Sequence, residues 1–198
     1  MRWNERVFPL LCRIKIFFHS KGKRIFIGAR CRICNPKHIV FRGDAHIMRD
    51  TVICPSGNGV VTLGSGVEIG PRCTINCNHA VTIGDNTILA PNVFMTDHNH
   101  QYKQIDQPIK FQGMQEEPAS IVIGNDCWIG TNAVFIGNAS VGTHCVVGAN
   151  TVVNQHFPDY SVIVGNPGRI VKRYDPKTGR WERVETIAGG NCNGSTAD

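Results

Sequence analysis

The sequence predicts an all-β protein wound as a parallel β-helix. Three observations carry that prediction. An apolar residue recurs every six positions at Ile123, Ile129, Phe135, Val141, Val147 and Val153. The fifth residue of each six is small, namely Cys127, Ala133, Ala139, Cys145 and Thr151, and glycine follows the apolar residue at 124, 130, 142 and 148. A period of six fits neither the 3.6 of a helix nor simple strand alternation. Short fixed periods mark solenoids, in which each coil buries its apolar residues only by stacking on the next. One large apolar side chain per six points inward, the small residue fits near a corner, and glycine or another turn former makes the bend.

Residues 1–24 precede the repeats. Val7, Leu10, Leu11, Ile14, Phe17 and Phe18 fall at helical spacing among Arg2, Arg6, Arg13, Lys15, Lys21, Lys23 and Arg24. The stretch is too short and too charged to span a bilayer. Two readings fit it: a helix capping the open end of the β-helix, or a basic amphipathic segment on a membrane surface. Residues 25–173 form the predicted β-helix. Ile27, Ile33 and Ile39 open its early coils; Leu63, Ile69 and Ile75 continue the register; Ile83, Leu89 and Met95 resume it after a two-residue slip near Asn76–Val81. One long loop, 96–120, interrupts the coils, and long loops in compact domains are usually functional. Phe157–Tyr160 ends the solenoid. In the extension, 174–198, a hairpin is predicted around Pro176–Gly179, and the small polar residues from Gly189 onward predict disorder.

The interrupting loop holds Thr96-Asp97-His98-Asn99-His100. Before it stand Val81-Thr82-Ile83-Gly84-Asp85-Asn86 and Leu89-Ala90-Pro91-Asn92-Val93. After it come Ile123-Gly124-Asn125-Asp126-Cys127-Trp128-Ile129-Gly130, Val147-Gly148-Ala149-Asn150-Thr151 and Val164-Gly165-Asn166-Pro167-Gly168-Arg169. This ordered series, over roughly 27–173, resembles the hexapeptide-repeat acyltransferases. It is most like their sugar and polysaccharide O-acetyltransferase branch, which includes the maltose and galactoside acetyltransferases. The resemblance implies a left-handed β-helix, against the general right-handed rule for parallel crossovers. It also implies a homotrimer with sites between subunits and acetyl-coenzyme A as co-substrate, with no metal. A cyclic trimer closes a head-to-tail interface.

By the same resemblance, His98 is the catalytic histidine. His100 is the runner-up or a supporting contact. Asp97 cannot be assumed to orient His98, because neighbours on a strand diverge. Asn78 matches an acceptor-binding position where the family commonly has an acidic residue. Tyr102 and Lys103, with Lys110 and Phe111, are candidates for an acceptor groove or for ordinary loop surface. Trp128, Thr131, Ala149, Arg169 and Lys172 match positions that approach coenzyme A, and Arg and Lys suit its phosphates. The alternative for Trp128 is a subunit contact.

The expected chemistry is direct acetyl transfer to a sugar hydroxyl of a surface polysaccharide or its precursor. A neutral histidine accepts the hydroxyl proton as the thioester is attacked. No cysteine or serine stands in a nucleophile motif, so no acyl-enzyme is expected. The alternatives are N-acetylation of an amino sugar, xenobiotic acetylation, and a zinc hydratase like the γ-type carbonic anhydrases using His79, His98 and His100.

The chain has 198 residues and a formal net charge of +6. The basic residues gather at the two ends of the chain rather than in one run with interleaved aromatics, which argues against nucleic-acid binding. A mildly basic surface suits an anionic cofactor, glycan or membrane. The nine cysteines are an odd number. Cys31, Cys73, Cys127 and Cys145 fall in the small slot, where thiols act as small hydrophobes. Cys31 and Cys34 form a lone CxxC, read as structural. The expected compartment is the reducing cytoplasm, with the inner membrane face open if the basic N-terminal segment binds lipid.

Overall fold

Three parallel sheets wrap a single apolar core in the computed structural model, which describes residues 22–115 and 117–184. The first face stacks Ile25–Ile27, Ala45–Ile47, Val67–Ile69, Ile88–Leu89, Trp128–Ile129, Val146–Val147 and Ser161–Val164. The second stacks Arg32–Ile33, Val52–Pro55, Thr74–Cys77, Phe94–Thr96, Val134–Ile136 and Val152–Val153. The third stacks Ile39–Phe41, Val60–Leu63, Ala80–Ile83, Ser120–Ile123, Ala139–Val141 and His156–Phe157. The chain visits the faces in that order and rises one coil each time. This is the left-handed parallel β-helix that the sequence resemblance implied.

The repeat sets this register. Leu89 lies over Ile129, Met95 over Phe135 and Ile123 over Val141. Each of these six residues is almost completely buried. So are the small-slot residues Cys73, Thr87, Cys127, Ala133, Cys145 and Thr151. Full burial of one such Leu, Ile or Val stabilises the fold by about 1.5–3 kcal/mol, so the aligned columns hold the coils together.

The glycines do a different job from the one predicted. At Gly84 and Gly124 the backbone is not left-handed; a Cβ there would meet the backbone of the next coil at 2.5 Å. Close approach of stacked coils requires glycine at these sites. The left-handed bends fall instead two residues later, on Asn86 (φ 54°) and Asp126 (φ 55°). The edge between the first and second faces bends the same way at Asn92, Asn132 and Asn150, with φ of 63°, 60° and 58°. Asparagine tolerates this region better than most residues. Here its side chains also form a ladder: Asn92 Nδ2 donates to Asn132 Oδ1, and Asn132 Nδ2 to Asn150 Oδ1, both at 3.0 Å.

The edge between the second and third faces is irregular. The two-residue slip is accommodated there by Asn78 and His79, between Thr74–Cys77 and Ala80–Ile83. The long loop leaves from the same edge after Thr96 and returns at Ser120. At the top, Arg169–Asp175 runs antiparallel to Ser161–Val164 and pairs with Arg180–Arg183. The predicted hairpin is therefore present, and the boundary placed at 173/174 runs through one of its strands.

Cys34 and Cys54 depart from the expectation of free structural thiols. They form a disulfide between adjacent coils. The stacking of Ile33 over Ile53 brings them together, so Cys34 pairs across coils and not within its CxxC. The amphipathic stretch up to Lys21 and the tail from Glu185 lie outside the described residues, and with them the proposed helix, membrane contact and disorder. Among the described residues, no helix is long and apolar enough to cross a membrane.

Candidate active site

Strand alternation carries Asp97 into the core. Val93, Met95 and Asp97 are all buried, with Phe94 and Thr96 facing outward. The Asp97 side chain has no exposed surface, and a buried carboxylate needs partners. Its Oδ1 accepts the Asn78 N–H at 2.8 Å, and its Oδ2 accepts those of His79 and Ala80 at 2.8 and 2.9 Å. These are the residues of the two-residue slip one coil below. Asp97 thus satisfies the backbone at the one place where the neighbouring coil leaves its regular ladder.

The same carboxylate holds the histidine. His98 Nδ1 lies 3.0 Å from Asp97 Oδ1, and the His98 side chain is 20% exposed. The strand ends at Thr96, so Asp97 and His98 are no longer bound to diverge as strand neighbours; the doubt that Asp97 could orient His98 is corrected. Burial pushes the Asp97 carboxyl up, but hydrogen bonds from the Asn78 N–H, His98, the His79 N–H and Cys77 outweigh it and hold the group below the usual carboxylate range. Asp97 is therefore ionised at neutral pH and can only accept. Its contact requires the proton of neutral His98 to sit on Nδ1, leaving the Nε2 lone pair free. Thr96 Oγ1 completes the setting, donating to the His98 carbonyl at 3.3 Å.

Asn78 belongs to the same corner. Its amide N–H is bound by Asp97, and its Oδ1 accepts the Ser56 hydroxyl from the coil below. His100 is exposed and forms an isolated antiparallel bridge with Met114 at the neck of the loop. Gln115 N–H donates to Asn99 and Gln101 N–H to Gly113, so the loop begins as a short ribbon. Gln112 then stitches its tip by donating to the carbonyls of Gln104 and Gln107, both at 2.7 Å. Tyr102, Lys103, Lys110 and Phe111 are exposed on this loop, together with Ile105 and Ile109.

The residues matched to coenzyme A lie elsewhere on the prism. Trp128 points outward from the first face, 57% exposed, between Ile88 and Val146. Thr131 and Ala149 occupy successive coils at the edge between the first and second faces. Arg169 and Lys172 are exposed on the antiparallel strand above. Within one chain, then, Asn78, Asp97 and His98 come together, whereas Trp128, Thr131, Ala149, Arg169 and Lys172 form a separate group across the second face.

His79, His98 and His100 do not make a metal cage. Among the described residues, no group of three or more His, Cys, Asp or Glu side chains is placed to hold a metal ion. The anchoring role of Asp97 escaped the sequence reading. Its signal was the alternation Val93, Met95, Asp97, which sends a carboxylate inward. Cys34–Cys54 escaped as well, because the hexad spacing is irregular between Ile39 and Leu63 and does not show that Ile33 stacks on Ile53.

Comparison with known proteins gives a consistent picture. The bacterial transferase hexapeptide (six repeats) family matches residues 120–155. The chain is 34% identical over 133 residues to the protein named as lipopolysaccharide biosynthesis O-acetyl transferase WbbJ of Escherichia coli, covering 65% of this chain and 68% of that one. It is 31% identical over 121 residues to the galactoside O-acetyltransferase of Escherichia coli, covering 58% of this chain and 57% of that enzyme. It thus spans little more than half the length of the second relative. Among solved structures, AntD, an N-acyltransferase from Bacillus cereus in complex with dTDP and 3-hydroxybutyryl-CoA, superposes with a TM-score of 0.63 at 16% identity, over 83% of this chain and 90% of that one. At that identity the likeness speaks to the fold alone.

Proposed function

Because the chain belongs to the hexapeptide-repeat family of acyltransferases, we propose that it is an acetyl-coenzyme A-dependent O-acetyltransferase acting on a sugar hydroxyl of a surface glycan or its precursor. The observation that carries the reading is the Asp97–His98 pair, in which a buried carboxylate fixes the tautomer of a partly exposed histidine. An imidazole held this way presents Nε2 as a general base.

In the proposed reaction, His98 Nε2 takes the proton of the acceptor hydroxyl as its oxygen attacks the thioester carbonyl. A C–O bond forms and the carbonyl becomes an oxyanion, which backbone N–H groups of a neighbouring coil are suited to stabilise. The C–S bond then breaks, and the coenzyme thiolate takes up the proton from His98. Acceptor and acetyl-coenzyme A are bound together, and no acyl-enzyme forms. Asn78, Tyr102 and Lys103 are the acceptor candidates, with His100 at the neck of the loop. Trp128, Thr131, Ala149, Arg169 and Lys172 are the coenzyme candidates.

The separation of these two groups within one chain supports a site completed by a second subunit. So does the exposed apolar tip of the loop, with Ile105, Ile109 and Phe111. We assign the protein as a homotrimer in which His98 of one subunit faces the coenzyme residues of the next. A cytoplasmic location fits use of acetyl-coenzyme A.

Thiol release from acetyl-coenzyme A tests the reading with panels of hydroxyl-only and amino acceptors. A hydroxylated glycan should drive release. His98→Ala should lower kcat/KM by about 10²–10⁴-fold while coenzyme binding persists. Release with amino acceptors alone would replace O-acetylation by N-acetylation. Full activity in His98→Ala would remove His98 as the base.

A further inference from the structure

The third edge of the prism, between the third and first faces, carries chemistry that acetyl transfer does not use. Asp126, His144 and Tyr160 follow one another up this edge on successive coils, each with a left-handed backbone of 54–56°. The hairpin folds over it and brings Tyr174, Pro176 and Trp181. Together His144, Tyr160, Tyr174, Pro176 and Trp181 line an open recess of about 480 Å³.

Three of the four ring pairs meet at an angle, and the fourth, His144 with Trp181, is nearly parallel at 24°. Tyr160 and Tyr174 are 5.9 Å apart and inclined by 47°; Tyr174 and Trp181 are 5.8 Å apart and inclined by 61°. His144 lies against Trp181 at 6.2 Å and is held on its other side by Asp126, at 2.5 Å from Nδ1. Part of this cluster serves packing, since it pins the hairpin to the solenoid. Yet Tyr160 remains 45% exposed and Trp181 39%, so part of each stays open to solvent.

We propose that this recess is a binding site for a neutral saccharide ring, separate from the acetyl-transfer site. Tyr174 is inclined to both Tyr160 and Trp181, which makes a bowl, and the near-parallel pair, His144 and Trp181, stands 6.2 Å apart, too close to admit a flat base between the rings. Such rings offer apolar surface at little entropic cost, with hydroxyl and imidazole groups at the rim for hydrogen bonds. The charged residues next to the lining residues in the chain are mixed, with Asp159 and Asp175 set against Lys177 and Arg180, and Asp126 meets His144. That balance favours an uncharged, hydroxyl-rich ligand over a phosphate or a cation. The recess and His98 stand at opposite edges of the third face. A strand of that face plus a rise of two coils separates them by roughly 15 Å. A glycan chain lying across the third face reaches both. The choice of a saccharide rests partly on the acceptor class proposed above.

The test reads binding without acetyl transfer. The Trp181 indole resonance of the full-length protein is followed as maltohexaose and galactan and mannan fragments are added in separate titrations, with choline chloride and adenosine 3′,5′-bisphosphate as comparisons and no acetyl-coenzyme A present. At least one neutral oligosaccharide should shift it saturably. Tyr160→Leu, on the solenoid itself, should weaken that binding at least tenfold, and Tyr160→Phe, which keeps the ring, should retain most of it. The proposal is overturned if no oligosaccharide moves the resonance, if choline or the bisphosphate moves it and sugars do not, or if Tyr160→Leu binds normally. Saturable binding at Trp181 with no thiol release for any acceptor would sink the acetyltransferase reading and leave the recess standing.

Discussion

Asp97 joins two tasks in one side chain: it closes the irregular corner at Asn78–Ala80 and it orients His98. Asp97→Asn should therefore harm both. The amide must turn an N–H₂ toward donors that had faced a carboxylate oxygen, leaving at least one of them unpaired. The expected loss is about 1–3 kcal/mol in urea denaturation at pH 7. A lower kcat with little change in KM for acetyl-coenzyme A would separate orientation of the base from coenzyme binding. The pH dependence follows from the depressed carboxyl. A group whose folded pKa lies below its unfolded value of about 3.9 stabilises the protein above that value and loses the contribution as pH falls through the folded pKa. The stability gap between wild type and Asp97→Asn should thus shrink between pH 5 and pH 2; a constant gap would show that ionisation of Asp97 contributes nothing. The interrupted repeat made the loop's histidines visible, and the family resemblance singled out His98 over His100. The hold of Asp97 on His98 was hidden, because neighbours on a strand diverge and nothing in the sequence marks that this strand stops at Thr96.

The coil shows which rules of the repeat are about space and which about backbone freedom. Gly124 cannot carry a Cβ, since the backbone of Gly142 lies 2.5 Å from where it would stand. Gly57 has a left-handed backbone (φ 55°) and open space around it. Gly124→Ala should force two coils apart, costing about 1–3 kcal/mol or more by thermal unfolding, in the manner of an overpacked core. Gly57→Ala should cost about 1–2 kcal/mol, from backbone strain alone. If the order were reversed, coil-to-coil approach would not be what selects glycine in the hexad. The buried column was legible in pieces, at Ile27–Ile39, Leu63–Ile75, Ile83–Met95 and Ile123–Val153, where one large apolar residue recurs every six; between Ile39 and Leu63 the spacing is less regular, and Phe41, Ala45, Ile47, Ile53 and Val61 joined the core only in the structure. The hand of the winding was not legible, since mirror-image coils bury the same positions; only the resemblance supplied it. The tilt of the rings around His144 was not legible either, because residues far apart in sequence meet there only once the coils are stacked and the hairpin has folded back.

The molecule sorts its work by edge. The asparagine ladder, Thr131 and Ala149 occupy one edge, the interrupting loop and His98 a second, and the aromatic recess the third. If the proposed trimer is correct, base and coenzyme residues come from different subunits, and two inactive variants should rescue one another. Randomly reassembled trimers of His98→Ala and Thr131→Trp, homotrimers included, should recover on the order of one quarter of the wild-type sites, since every trimer holding both kinds of subunit has one intact interface. Sedimentation gives the oligomeric state, and thiol release in the mixed sample gives the rescue. No recovery in confirmed mixed trimers would place both groups of residues on one subunit.

A stacked coil has no intrinsic length. Every parallel strand offers the same unpaired edge to whatever follows, including another copy of the molecule. Here the seventh strand of the first face meets Arg169–Asp175 running the opposite way, and Arg180–Arg183 doubles it. Reversal of direction acts as a chain terminator: a further parallel coil has no matching template, and the lysine and arginine side chains on the last strands discourage docking by like copies. A protein truncated after Gly168 should therefore grow end to end, with light scattering that rises with concentration and time. A truncated protein that kept the size of the parent would mean that the stack is stopped by something other than polarity.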